Sequence, residues 1–106
     1  MSAQVQSTLY AKLLGETATI GWQELEPFFA KGSLLRVDAE LDLVAVAEAV
    51  AKDDQRRVAD WLSAGQVERL SAARAEDWQR RNPYLWAVVV APWVLVQERA
   101  GSAAMH

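Results

Sequence analysis

The 106-residue sequence predicts an α+β fold, a single helix-rich domain of about five helices with a small sheet of three to four short strands. Three observations support that expectation. Apolar residues recur at three- and four-residue spacing through most of the chain. Glycines stand where those stripes stop, with Asp or Ser ahead of the next one. The stretch LWAVVVAPWVLV at 85–96 is rich in β-branched residues and free of polar side chains, the signature of strands.

The first stripe, Val5, Leu9, Leu13 and Leu14, predicts a short helix closed by Gly15. Gly21 suits the N-cap of a second helix, because Glu24 then falls at the third helical position and Ile20 and Leu25 form a hydrophobic staple. Pro27 lacks a backbone donor, which predicts a kink or a fresh helical start there, with Phe28 and Phe29 turned inward and Gly32 at the end. A strand follows at 34–37. Asp38 is the expected N-cap of the helix LDLVAVAEAVAK, whose stripe of Leu43, Val46, Ala47 and Val50 is widened by Leu41, Val44 and Ala51. Only Asp42, Ala45, Glu48, Ala49 and Lys52 are left for solvent, which places this helix near the centre of the fold.

Asp53 and Asp54 are expected to cap the next helix, DQRRVADWLSA, with Val58, Trp61 and Leu62 facing in and Arg56, Arg57 and Asp60 facing out. Gly65 ends it, a strand follows at 67–70, Ser71 caps AARAEDWQRR, and Asn82-Pro83 breaks that helix. In the last stretch, Trp86, Val88 and Val90 share one strand face and Ala87, Val89 and Ala91 the other. Both faces are apolar, so both need a cover. Pro92 cannot donate inside a paired strand. The stretch should therefore split into strands at 85–90 and 93–97, with the PWVLVQ half at a sheet edge.

Residues 28–39, FFAKGSLLRVDA, also align with residues 61–72, WLSAGQVERLSA, with Gly32 over Gly65. A shared grammar of helix, glycine, strand and cap accounts for the match without a duplication.

Composition narrows the chemistry. The chain is read as one domain, 1–106, ordered over roughly 5–98 with a flexible tail at 99–106. Cysteine is absent, which excludes disulfides, thiolate metal sites and cysteine nucleophiles. The start of the chain lacks a secretory signal pattern, and the apolar stretch falls short of the about twenty residues a spanning helix needs. A cytoplasmic protein with no membrane attachment is expected. The single histidine, His106, ends a tail of small residues, a poor frame for a base or a ligand. No catalytic or metal-binding residue and no cofactor are assigned. Asp38, Asp42 and Asp53 are the carboxylate candidates if the chain is an enzyme or a small-ligand binder, although helix capping accounts for Asp38 and Asp53.

Charge is unevenly spread. Residues 1–54 hold nine acidic and four basic side chains, and residues 55–106 five acidic and seven arginines. The order of elements offers a fold-level analogy to a winged helix-turn-helix domain, with the helix at 54–64 as recognition helix and Arg56 and Arg57 as the DNA contacts. Asp53, Asp54 and Asp60 surround those arginines and the net charge is −3, so nucleic acid is not the expected partner.

The segments ETATIGWQELEPFFAKG, LDLVAVAEAVAKDD and LWAVVVAPWVLVQ together resemble a family of small bacterial proteins known as domain of unknown function 2288, over nearly the whole chain. The resemblance implies one intact domain and brings no catalytic residues with it. A non-enzymatic interaction or regulatory module is the leading expectation. It would self-associate or bind a protein partner through the C-terminal strand region, with Trp86, Pro92, Trp93, Leu95 and Gln97 as its surface. A small-ligand-binding protein or a carboxylate enzyme is the alternative.

Overall fold

The computed structural model describes residues 2–99, with side chains from residue 8 onward. The expectations for the Val5 side chain, for His106 and for the tail beyond Arg99 lie outside the described residues. Ten elements follow in order: α1 (Ser2–Glu16), β1 (Ala18–Ile20), α2 (Trp22–Ala30), β2 (Leu34–Val37), α3 (Leu43–Ala51), α4 (Gln55–Ser63), β3 (Val67–Arg69), α5 (Ala72–Arg81), β4 (Leu85–Val90) and β5 (Trp93–Glu98). The fold is α+β, and the strands form one mixed sheet in the order β1-β4-β5-β2-β3. The β2–β5 pair is parallel, and the other three pairs are antiparallel.

Strand alternation divides the core in two. On one face Leu35, Val37, Val67, Val88 and Leu95 meet Leu13 of α1 and Leu43, Val44, Val46 and Ala47 of α3, with Trp61 of α4 at the margin. On the other, Leu34, Leu85, Ala87, Val94 and Val96 meet Trp22 and Leu25 of α2 and Ala75 and Trp78 of α5. Trp86 and Val90 pack on the first face as the period-two pattern requires, and the chain's own helices cover both sides.

Three helix ends share one geometry. Gly32 and Gly65 both have φ of +74°, and each helix closes with paired backbone bonds, Gly32 N to Phe29 O and Ser33 N to Phe28 O, Gly65 N to Leu62 O and Gln66 N to Trp61 O. This is the Schellman arrangement, which needs a left-handed residue just past the helix. Asp53 closes α3 in the same way at φ +57°, with Asp53 N to Val50 O and Asp54 N to Ala49 O. Asp54 alone caps α4, accepting from Arg57 N at 3.3 Å. The expectation that both aspartates begin α4 is thus corrected: one ends α3 and the other starts α4.

Other corrections concern placement. The N-cap of α3 is Asp42, whose Oδ1 accepts from Val44 N and Ala45 N, while Asp38 turns the preceding loop through Glu40 N and Leu41 N. Packing of α3 against α1, α4 and the sheet buries Ala49 and leaves Ala51 exposed, the reverse of the stripe prediction. Helix α2 begins at the Gly21 cap, with Gly21 N donating to Glu24 Oε1, and runs through Pro27 unbroken. Pro27 is exposed, so the Gln23 carbonyl it leaves without a backbone donor faces water. Strand β1, three residues long, adds a fifth strand that the sequence pattern did not call for.

Most consequential is β5. It was expected at an edge, yet it lies at the sheet centre between β4 and β2, because Pro92 sits in the two-residue turn before it and interrupts no ladder. The aligned segments at 28–39 and 61–72 place corresponding residues on opposite faces, Leu34 in one core and Val67 in the other. A shared grammar without spatial symmetry fits that placement. One five-stranded sheet with helices on both faces also replaces the winged-helix analogy.

Candidate functional site

Helix α4 is strongly amphipathic, yet none of its residues is fully buried. Its apolar side chains Val58 and Trp61 are half-covered, and Leu62 is 49% exposed. Nine residues packed by one side only, against the end of α3 and the short edge strand β3, cannot close over the sheet. What remains is a groove of about 580 Å³. Its helix wall carries Asp53, Asp54, Gln55, Val58, Ala59 and Leu62, and Val50 and Ala51 of α3 continue it. The floor is Leu35, Val67 and Val90, and the sheet wall is Arg69, Ala91, Pro92 and Trp93.

The two walls differ in charge. Arg69 lies with its guanidinium 5.4 Å from the centre of the Trp93 ring, and among the described residues no carboxylate comes within 4 Å of it. Stacking on an indole holds a guanidinium in place without neutralising it. Across the groove, the Asp53 carboxylate meets only the Gln55 side-chain amide, at 3.5 Å, and no Lys or Arg among the described residues. Asp54 spends its carboxylate on the α4 cap.

Of the residues singled out in the sequence, the groove brings together Pro92, Trp93 and Asp53. Leu95 and Gln97 are buried inside the chain, at 0% and 2% exposure, and are not surface residues. Gln97 is an internal clamp: its Nε2 donates to the carbonyls of Asp38 and Leu41 at 2.8 Å each. Trp86 faces the first core, with the Arg99 guanidinium 4.6 Å from its ring centre. Arg57 stacks on Trp61 at 5.0 Å, and Arg56 is exposed at the start of α4. Asp42 caps α3 and accepts from the Tyr10 hydroxyl at 2.6 Å, which raises the Tyr10 pKa above its ordinary value. Among the described residues no three of His, Cys, Asp and Glu converge on one point. Arg69, the one cation lining the groove among the described residues, had no local sequence signal to mark it.

The densest ion network lies on the other face. Arg81 donates to both oxygens of Asp77 and both of Glu98, at 2.7 to 3.0 Å, and the Trp78 indole donates to Glu98 at 3.1 Å. Arg36, Glu68 and Arg74 form a second set, with Arg36 Nε 2.8 Å from Glu68. Both sets pair their charges internally. Among the described residues the groove differs in holding no ion pair, with Arg69 on one wall and Asp53 and the α4 cap Asp54 on the other.

Comparisons with known proteins agree with the architecture. Residues 8–98 match the family described as "Protein of unknown function (DUF2288)". The chain is similar to PA1075 from Pseudomonas aeruginosa, known from an NMR solution structure, at 63% identity and a TM-score of 0.79, covering 94% of this chain and 93% of that one. No curated protein matches it. No helix among the described residues is long and apolar enough to cross a membrane.

Proposed function

We propose that this chain, which belongs to the DUF2288 family, is a non-enzymatic binding protein that takes a small apolar molecule into the groove between α4 and the sheet. One observation carries the proposal: an amphipathic helix with no buried residue stands over a cavity floored by Leu35, Val67 and Val90. Apolar surface left open in this way lowers its free energy by covering itself. The volume lies within the about 300–1,000 Å³ typical of small-molecule sites, where apolar walls supply affinity and a few polar groups supply orientation. Amide chemical-shift mapping with 1-hexanol tests this. Shifts should concentrate at Val50, Val58, Leu62, Val90 and Trp93 and vanish in Leu62→Asp; shifts scattered over both faces would sink the proposal.

Self-association, the leading expectation from the sequence, keeps support from one other place. Strand β1 pairs only with Leu85, Trp86 and Ala87, so among the described residues Val88–Val90 have no strand neighbour on their outer side, and Val89 is 58% exposed. The segment AVVVA reads the same in both directions about Val89, which suits antiparallel pairing with a second copy. Light scattering decides: a dimer that Val89→Lys dissociates supports this second reading, and a monomer at high concentration ends it.

A further inference from the structure

From the opposed charges in the groove we infer that its ligand is a zwitterion with an apolar body, of the chemistry of a short apolar peptide with free ends. The inference rests on the proposal that the groove binds an apolar molecule, and adds what must stand at that molecule's polar ends. Asp53 and Arg69 line the same cavity from opposite walls, and neither has an ion-pair partner among the described residues. A ligand that is only apolar leaves both charges facing a surface that gives them nothing. An anion alone meets Arg69 but is repelled by Asp53, and a cation alone meets the reverse problem. An ammonium group at Asp53 and a carboxylate at Arg69 satisfy both.

The shapes of the two groups fit these roles. The Arg69 guanidinium carbon lies 5.4 Å from the centre of the Trp93 ring, and no carboxylate among the described residues pairs with it, so its N–H donors are open to a carboxylate. The left-handed turn that closes α3 fixes the Asp53 backbone where the residue lines the groove, and its carboxylate has no ion-pair partner among the described residues. Between them the cavity has more room than a single amino acid fills, and its floor is wholly aliphatic. Two apolar side chains on a short backbone use that floor.

The test is calorimetric titration of the whole chain with four dipeptides: Leu-Leu, acetyl-Leu-Leu, Leu-Leu-amide, and the doubly blocked acetyl-Leu-Leu-amide. Removing either charge should weaken binding by about tenfold, the loss of one charge-assisted hydrogen bond. In Asp53→Asn the acetyl group should cost nothing further, and in Arg69→Gln the amide should cost nothing further. Asn tolerates the left-handed turn, so Asp53→Asn keeps the fold. If all four bind equally in the unaltered chain, with Trp93 and Leu62 shifted, the inference about charge is overturned and the apolar groove stands. If none binds and no groove resonance moves, the groove proposal itself fails and takes the inference with it.

Discussion

Gln97, near the end of β5, donates its side-chain amide to the carbonyl oxygen of Leu41, 56 residues earlier, at 2.8 Å. The same nitrogen reaches the Asp38 carbonyl, and Arg99 Nε donates to its oxygen at 3.1 Å. Both amide donors of a side chain that is 2% exposed are thereby spent on fixing the loop from 38 to 42, ahead of α3. Gln97→Met keeps the volume and removes the donors. It should lower stability by about 2 kcal/mol, the cost of leaving a buried carbonyl unpaired, read as a shifted urea midpoint at unchanged slope.

Acid sensitivity should be traceable to Glu98. The Arg81 guanidinium holds its carboxyl below the usual range, more than offsetting partial burial, which pushes the other way, and the Trp78 indole adds to the lowering. Because the folded pKa lies below the unfolded one, this stability is present above the unfolded pKa of 4.5 and is lost as pH falls through the folded value. Glu98→Gln should cost about 1 kcal/mol at neutral pH and flatten the acid limb. Urea midpoints compared between about pH 7 and about pH 3 measure both effects.

Three left-handed turns give a sign test. An added Cβ meets nothing within 4 Å at Gly32 or Gly65, so any penalty there comes from backbone conformation alone. Gly32→Ala and Gly65→Ala should each lower stability by about 1 kcal/mol. Asp53→Gly should act oppositely, raising it by up to about 1 kcal/mol, because Asp53 occupies the same region at φ +57° with a side chain. Equal signs in all three would contradict the assignment.

Proline inside α2 sets up a fourth comparison. Pro27 supplies no donor to the helix and points to solvent, where nothing depends on its ring. Pro27→Ala should raise stability by about 1 kcal/mol or more, visible as a melting temperature several degrees higher.

Local chemistry made the helix ends and strand faces legible. Gly21 with Glu24, the glycines at 32 and 65, Ser71, and the alternation from Trp86 to Val90 all specify their geometry within a few residues. Competition between neighbours was harder to read. Asp38 and Asp42 both precede the α3 stripe, and the choice falls to Asp42 because Gln97, far along the chain, holds 38–41 as a loop. The position of β5 depends on which strands pair, and no residue within β5 encodes that. The groove is still less local. Pro92 and Trp93 stood out for apolarity and Asp53 for its carboxylate, with nothing to say that α4 would set them facing each other. Arg69 looks like any charged residue on an edge strand until Trp93 lies beneath it.

The position of β5 also orders events during synthesis. It is the last of the ten elements and hydrogen-bonds to both β4 and β2, so until Glu98 has left the ribosome those strands have no common neighbour. A nascent chain up to Val90 holds the residues of two long-range antiparallel pairs, β2 with β3 and β1 with β4, but not the strand that unites them in one sheet. The domain therefore forms after translation of its final strand, in a single joining step, and stalled or shortened chains leave two apolar half-sheets open to aggregation.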